Sequence, residues 1–230
     1  MKCISISILQ IVVVFTTTIN GGFTNEPCSR RNTAYLSISS AIIPSASVQC
    51  IDITGMAKDP PLLADIILSR LKYLTKADTV FANDMKLKRF PKDLIRLKNL
   101  TFVDLSKNYL RRVPQAMNRL LPKLQTLILT NNKIQAKPTK NLFKSRSIKT
   151  LMLSDNNIKT IGLQTFAAMP SLEVLYLDSN KIEVLSPDVF KSVRRLKFLH
   201  LGNNLISHPL SFQDVLPNLK KCILKGNKIK

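Results

Sequence analysis

A chain of 230 residues that is 45% hydrophobic is long enough to bury a substantial core and too apolar to be disordered, and six glycines exclude a collagen-like fibre. Thirty-five Lys and Arg against 14 Asp and Glu give a formal charge of +21. The surface potential is therefore positive over most of the molecule, and acidic partners or surfaces are expected.

The chain opens with Met1-Lys2, an almost uninterrupted apolar run from Ile4 to Phe15, then threonines and Asn20-Gly21-Gly22. A cationic start, an apolar stretch and small polar residues make a secretory signal, so residues 1–22 are read as one. Ser5, Ser7, Gln10 and the run from Thr16 to Thr18 leave this stretch short of the roughly 20 apolar residues a membrane anchor needs. No later stretch is apolar enough to span a bilayer, so secretion is expected. Cys3 leaves with the signal, and Cys28, Cys50 and Cys222 remain. Within residues 23–76, read as an N-terminal cap region, Asp59-Pro60-Pro61 ahead of Leu63, Ile67, Arg70, Leu71 and Leu74 predicts a helix start and an amphipathic helix.

Residues 77–230 are organised by repetition. The segments LTFVDLSKNYL from Leu100, LQTLILTNNKI from Leu124, IKTLMLSDNNI from Ile148, LEVLYLDSNKI from Leu172, LKFLHLGNNLI from Leu196 and LKKCILKGNKI from Leu219 all fit L-x-x-L-x-L-x-x-N-x-L. Asn108, Asn132, Asn156, Asn180 and Asn204 recur at one constant interval, and Asn227 arrives a single position early. A degenerate seventh copy runs from Ala77 to Leu87 with Met85 in the asparagine position, and a partial eighth begins near Val48. Alternation within each segment points residues such as Val103 and Leu105 inward and Phe102 and Asp104 outward. One turn cannot cover its own apolar side, so turns stack, strands pair in parallel, and each asparagine amide satisfies backbone groups at the bend. Met85 cannot do this; its turn is expected to bend differently or belong to the cap. Phe166 and Phe190, which hold the same place after their asparagines, are expected to fill the core from the convex side.

These repeats resemble the extracellular leucine-rich-repeat proteins whose units run to about 24 residues. The resemblance is strong over 77–230 and weak over 28–76. It implies an α/β solenoid with a curved parallel sheet on the concave face and irregular or short helical segments on the convex face. It also implies recognition of proteins, sometimes of glycans or lipids, often by the concave sheet. Members often carry four-cysteine caps at both ends, and receptors add a membrane span. Here only Cys28 and Cys50 stand at the start, and the chain stops at Lys230 inside a repeat. A signalling receptor is not expected. Cys28 and Cys50 flank the region where a cap covers the core and are expected to pair in an oxidising compartment. Cys222 takes an inward leucine position and is expected to be a buried thiol.

Two outward columns carry the expected protein-binding surface. One reads Phe81, Asp104, Ile128, Met152, Tyr176, His200 and Ile223; its neighbour reads Thr79, Phe102, Thr126, Thr150, Val174, Phe198 and Lys221. Phe81, Phe102, Ile128, Met152, Val174, Tyr176 and Phe198 would form an apolar run with Asp104, Asp178 and His200 at its rim, of a kind that marks interaction sites. Lys86, Lys88, Arg89, Arg111, Arg112, Lys133, Lys159, Lys181, Lys228 and Lys230 fall just after the asparagine positions. Stacking would align them as a basic edge suited to a sulfated glycan, the second functional reading. Interleaved aromatics for base stacking are missing there, so nucleic acid is not expected. Asn99-Leu100-Thr101 is an N-glycosylation acceptor sequence.

An enzyme is not expected. His200 points outward and Cys222 inward on neighbouring strands, His208 stands in a loop, and no phosphate loop, metal-spaced cluster or cofactor motif occurs. Leu219, Cys222, Leu224 and Ile229 would leave the last turn without a cap, which raises either a truncated chain or an end covered by a partner or by a second copy in a homo-oligomer.

Overall fold

A computed structural model describes residues 33–35, 49–55 and 74–229; residues 1–22, Cys28 and the helix expected after Pro60 lie outside the described residues. Among them, nine three-residue strands form one parallel sheet in chain order. They are β1 (Thr33–Tyr35), β2 (Cys50–Asp52), β3 (Thr79–Phe81), β4 (Phe102–Asp104), β5 (Thr126–Ile128), β6 (Thr150–Met152), β7 (Val174–Tyr176), β8 (Phe198–His200) and β9 (Lys221–Ile223). β2 is the partial turn expected near Val48. The sheet extends one strand further, to β1, inside the stretch assigned to the cap.

The strands are short because each is followed by a bend. Asp84, Lys107, Asn131, Asp155, Ser179 and Asn203 stand at φ between 52° and 55°, with Gly55 and Gly226 at the same place in the first and last described turns. Left-handed backbone costs an L-residue energy, least for Asn and Asp, so something must hold it there. The turn containing Met85 shares the geometry at Asp84 and the strand register of its neighbours. It adds a second left-handed residue, Lys86 at φ 53°, so this turn keeps the register but bends differently from its neighbours, as expected.

What holds the bends is a ladder of buried asparagines. Nδ2 of Asn156 donates to the carbonyls of Leu153 (3.1 Å) and Ser154 (3.0 Å) in its own turn and of Leu129 (2.8 Å) in the turn before. Its Oδ1 accepts the N–H of Ile134, one turn back, at 2.8 Å. Asn132, Asn180 and Asn204 repeat the pattern. Asn108 accepts the N–H groups of both Met85 and Leu87, so the turn whose own position holds methionine is stitched from its successor.

Inside, Val80, Val103, Leu127, Leu151, Leu175, Leu199 and Cys222 form one in-register column of buried side chains. The returning side is irregular, with 3-10 helices at Lys92–Arg96 and Pro187–Phe190 and one α-helical turn at Met117–Leu120. Phe166 and Phe190 stack there at 6.0 Å between centroids, as expected, and Phe212 meets Phe190 edge-on at 5.9 Å. Phe143 is also fully buried, although it stands one position further from Asn132 than Phe166 does from Asn156.

Removing a rung leaves buried backbone groups from two turns without partners. Asn156→Ala is expected to cost on the order of 3 kcal/mol, read as a fall in urea midpoint at unchanged slope. Asn227→Ala, whose bonds are only partly buried, is expected to cost about a third of that. Equal losses at the two positions would show that the ladder is not the source of the effect.

Candidate functional site

Strand register turns sequence columns into a surface. Thr79, Phe102, Thr126, Thr150, Val174, Phe198 and Lys221 are consecutive partners, as are Phe81, Asp104, Ile128, Met152, Tyr176, His200 and Ile223. Phe81, Phe102, Asp104, Ile128, Met152, Val174, Tyr176, Phe198 and His200 are thereby brought together on one face, each half-buried by its neighbours. Two corrections follow. The patch is not freely exposed: the large apolar residues that stand well out among the described residues are Tyr109, Leu163 and Val184, none of them on the sheet. Ile223 keeps its register opposite His200 but is buried, with 5% exposure.

Aromatic rings form two groups on this face. Phe81 and Phe102 pack tilted at 5.2 Å. Further along, Tyr176 meets Phe198 at 4.9 Å and stacks on His200 at 5.9 Å, while the Lys221 ammonium lies 5.9 Å from the centre of the Phe198 ring. Burial, with the Asp178 charge nearby, pushes the Tyr176 hydroxyl up to about 12.

The carboxylates of this face diverge. Burial raises the Asp104 carboxyl above its ordinary range, the Asp52 charge adds to this, and hydrogen bonds from Ser106 only partly offset it. At Asp178 burial also pushes upward, but the His200 ring, with Nδ1 3.2 Å away, and the Ser154 hydroxyl, which donates at 2.6 Å, outweigh it and hold the carboxyl below its ordinary range. Sequence reading missed Ser154, whose link to Asp178 crosses from one turn to the next. The trio has the residue types of a hydrolytic triad in the wrong order. The Ser154 hydroxyl donates its hydrogen bond to the carboxylate, whereas nucleophilic catalysis needs the hydroxyl against the imidazole. Leu199 pairs with Cys222 and His200 with Ile223, so thiol and imidazole occupy opposite faces. His208 contacts the Leu185 carbonyl through Nε2 at 2.9 Å.

Lys86, Lys88, Arg89, Arg111, Arg112, Lys133, Lys159 and Lys181 are all exposed. Backbone bonds from Tyr109 to Leu87, Lys133 to Leu110, Asn157 to Ile134 and Lys181 to Ile158 superpose the residues just after each asparagine. That row reads Tyr, Lys, Asn, Lys, so charge alternates with neutral groups instead of running unbroken. The denser basic group lies where Lys88, Arg89, Arg111, Arg112 and Lys133 follow on three consecutive turns, with Lys133 4.9 Å over the Tyr109 ring. Asn99 is half-buried; its Nδ2 donates to the Thr75 carbonyl and its Oδ1 accepts from Lys123. Asn218 makes the equivalent bond to Arg194, again one turn back.

A parallel-sheet solenoid of near-equal turns with an asparagine ladder defines a class of repeat scaffold. The leucine rich repeat family model matches residues 146–206. Among solved structures, 356 chains match. One, titled as the TLR13-ssRNA13 complex, superposes with a TM-score of 0.60 at 24% identity, over 80% of this chain and 26% of that one. This chain thus spans about a quarter of that structure's length, and the likeness is one of fold. No curated protein matches the chain. The fold of the chain is that of a leucine-rich-repeat solenoid.

The two carboxyls predict opposite pH effects. Asp178, depressed in the folded state, contributes stability above the unfolded value near 3.9 that is lost as pH falls through its folded value. Asp104, raised, contributes only below that unfolded value and loses it as pH rises through its folded value. At neutral pH Asp178→Asn should therefore lower the melting temperature and Asp104→Asn raise it, with both differences shrinking in acid. Shifts of the same sign would contradict these environments.

Proposed function

We propose that this protein is secreted and binds a protein partner with its concave sheet face. The observation that supports this best is the in-register run of half-buried apolar and aromatic side chains from Phe81 to His200. A solvated sheet would be satisfied by polar residues. Packing of these side chains on one another lowers the conformational entropy a partner must remove. The apolar opening of the chain supports export, and no helix among the described residues is long and apolar enough to cross a membrane. Cys50, buried at the start of β2, would be the partner of Cys28 in an oxidising compartment. Asn99 is the candidate glycan acceptor; its amide nitrogen, which donates to the Thr75 carbonyl, would keep one N–H on modification. Asp104 and Asp178 on the face disfavour a nucleic-acid backbone there.

The combined replacement of Phe102, Met152 and Tyr176 by serine should leave the solenoid folded and abolish partner capture from extracellular material, with mass spectrometry as the readout. Capture of the same set by the triple variant would overturn the concave-face reading.

A second reading, a sulfated-glycan binder, is favoured by the five exposed cations on three consecutive turns. Lys88, Arg111 and Lys133 replaced together by glutamate should lower the salt concentration of elution from heparin by more than the same number of changes on the convex side. Equal shifts would reduce the edge to bulk charge.

A further inference from the structure

Among the described residues, the concave face is a part of this basic protein from which positive charge is withheld. Across β2 to β8 its two central columns hold Asp52 and Asp104, one histidine, and no lysine or arginine; Lys221 enters only on β9. The next column runs through Ser106, Thr130, Ser154, Asp178 and Gly202 and adds a third carboxylate. In a chain where cations outnumber acids 35 to 14, a face with this sign is opposite to the rest of the surface.

Two of its carboxylates lie beside rings. Asp52 pairs in register with Phe81, and Phe81 with Asp104, so the acids flank one aromatic residue at two strand spacings, about 10 Å. The Phe102 ring lies 5.2 Å from the Phe81 ring. Asp52 accepts the Thr54 N–H and Asp104 the Ser106 N–H. Among the described residues, neither acid has a lysine or arginine within ion-pair distance. Burial has already removed much of their water, so an incoming cation gains charge pairing there without having to strip it. Aromatic faces add attraction for a guanidinium or ammonium within about 6 Å of the ring centre.

We propose that the concave face accepts a cationic polypeptide, which sets an arginine or lysine side chain over the Phe81–Phe102 pair between Asp52 and Asp104 and lays apolar neighbours along Ile128, Met152 and Tyr176. The proposal rests on the concave-face reading above and specifies the partner's charge, opposite to that expected from net charge alone. Strand backbones are paired within the sheet, so side chains rather than added strands carry the recognition.

The test uses the full chain and two short labelled peptides, one alternating arginine with leucine and one alternating glutamate with leucine, followed by fluorescence anisotropy. At an ionic strength near 0.15 M, where screening confines interactions to about 8 Å, the overall +21 no longer dominates. The arginine peptide should bind, Asp104→Asn should weaken it about tenfold, and Asp188→Asn on the convex side should change nothing. Because Asp104→Asn is expected to stabilise the fold, a loss there is not unfolding. No binding of the arginine peptide, or indifference to Asp104→Asn, would overturn the cationic assignment. If the serine triple variant still lost its captured partner in that case, concave-face binding would stand and only the charge class would fall; if capture also survived the triple change, the reading beneath it would fall too.

Discussion

The asparagine amide at the end of each strand is the interaction on which the rest depends. One side chain ties two carbonyls of its own turn, one carbonyl of the preceding turn and an N–H of that preceding turn. Those four bonds fix where the chain leaves the sheet, and the left-handed residue just before the asparagine is the conformation that brings the amide under the bend. They also fix pitch, since the amide reaches the neighbouring turn only when that turn lies one strand spacing away. Strands of three residues, poor sheets by themselves, become a rigid face because their ends are clamped in sequence.

A clamped register makes the surface a lattice. Any property placed at one position of the repeat unit becomes a row, and a change at one turn is felt by its neighbours. Gly202 illustrates the tightness: a Cβ there would stand 2.9 Å from the Lys225 carbonyl and 3.0 Å from the His200 ring. The row that contains Ser154 and Asp178 therefore narrows to glycine where the histidine ring must lie flat against Tyr176. Lattice order also explains why the aromatic side chains are half-buried. They sit one strand spacing apart and cover one another, which orders them before any partner arrives.

The repeated L-x-x-L-x-L-x-x-N made strands, register and the inward column legible from the sequence, because that pattern states both the period and the buried side. Other features were less legible, each because it depends on what lies between turns. Met85 breaks the pattern and its turn takes a second left-handed residue, Lys86, yet it keeps its register, since Asn108 supplies from the next turn the oxygen that the Met85 and Leu87 amides need. Ile223 holds an outward place in the pattern and is buried all the same. The Ser154–Asp178–His200 contacts join residues that no local motif connects, since the three stand on successive turns and meet only when those turns stack. Phe143 escaped because it stands one position further from its asparagine than Phe166 and Phe190 do from theirs, so a fixed offset finds those two rings and misses it.

Charge is distributed by the same lattice. Apart from Lys221 on β9, the lysines and arginines of the described turns lie outside the strands, where long chains reach water and mutual repulsion is screened. Carboxylates that share the face with apolar rings lose that water, and they differ by what replaces it. Asp178 finds a hydroxyl and an imidazole and is held ionised; Asp104 finds a backbone N–H, its neighbouring serine and a second aspartate two strands away, and is held less easily. The fold thus carries an only partly compensated acid among aromatic side chains on the sheet face and an excess of cations on the edge beside it. On the proposed readings a cation would gain most at the first and an anion at the second, so one frame would present two surfaces of opposite preference, separated by the width of a bend.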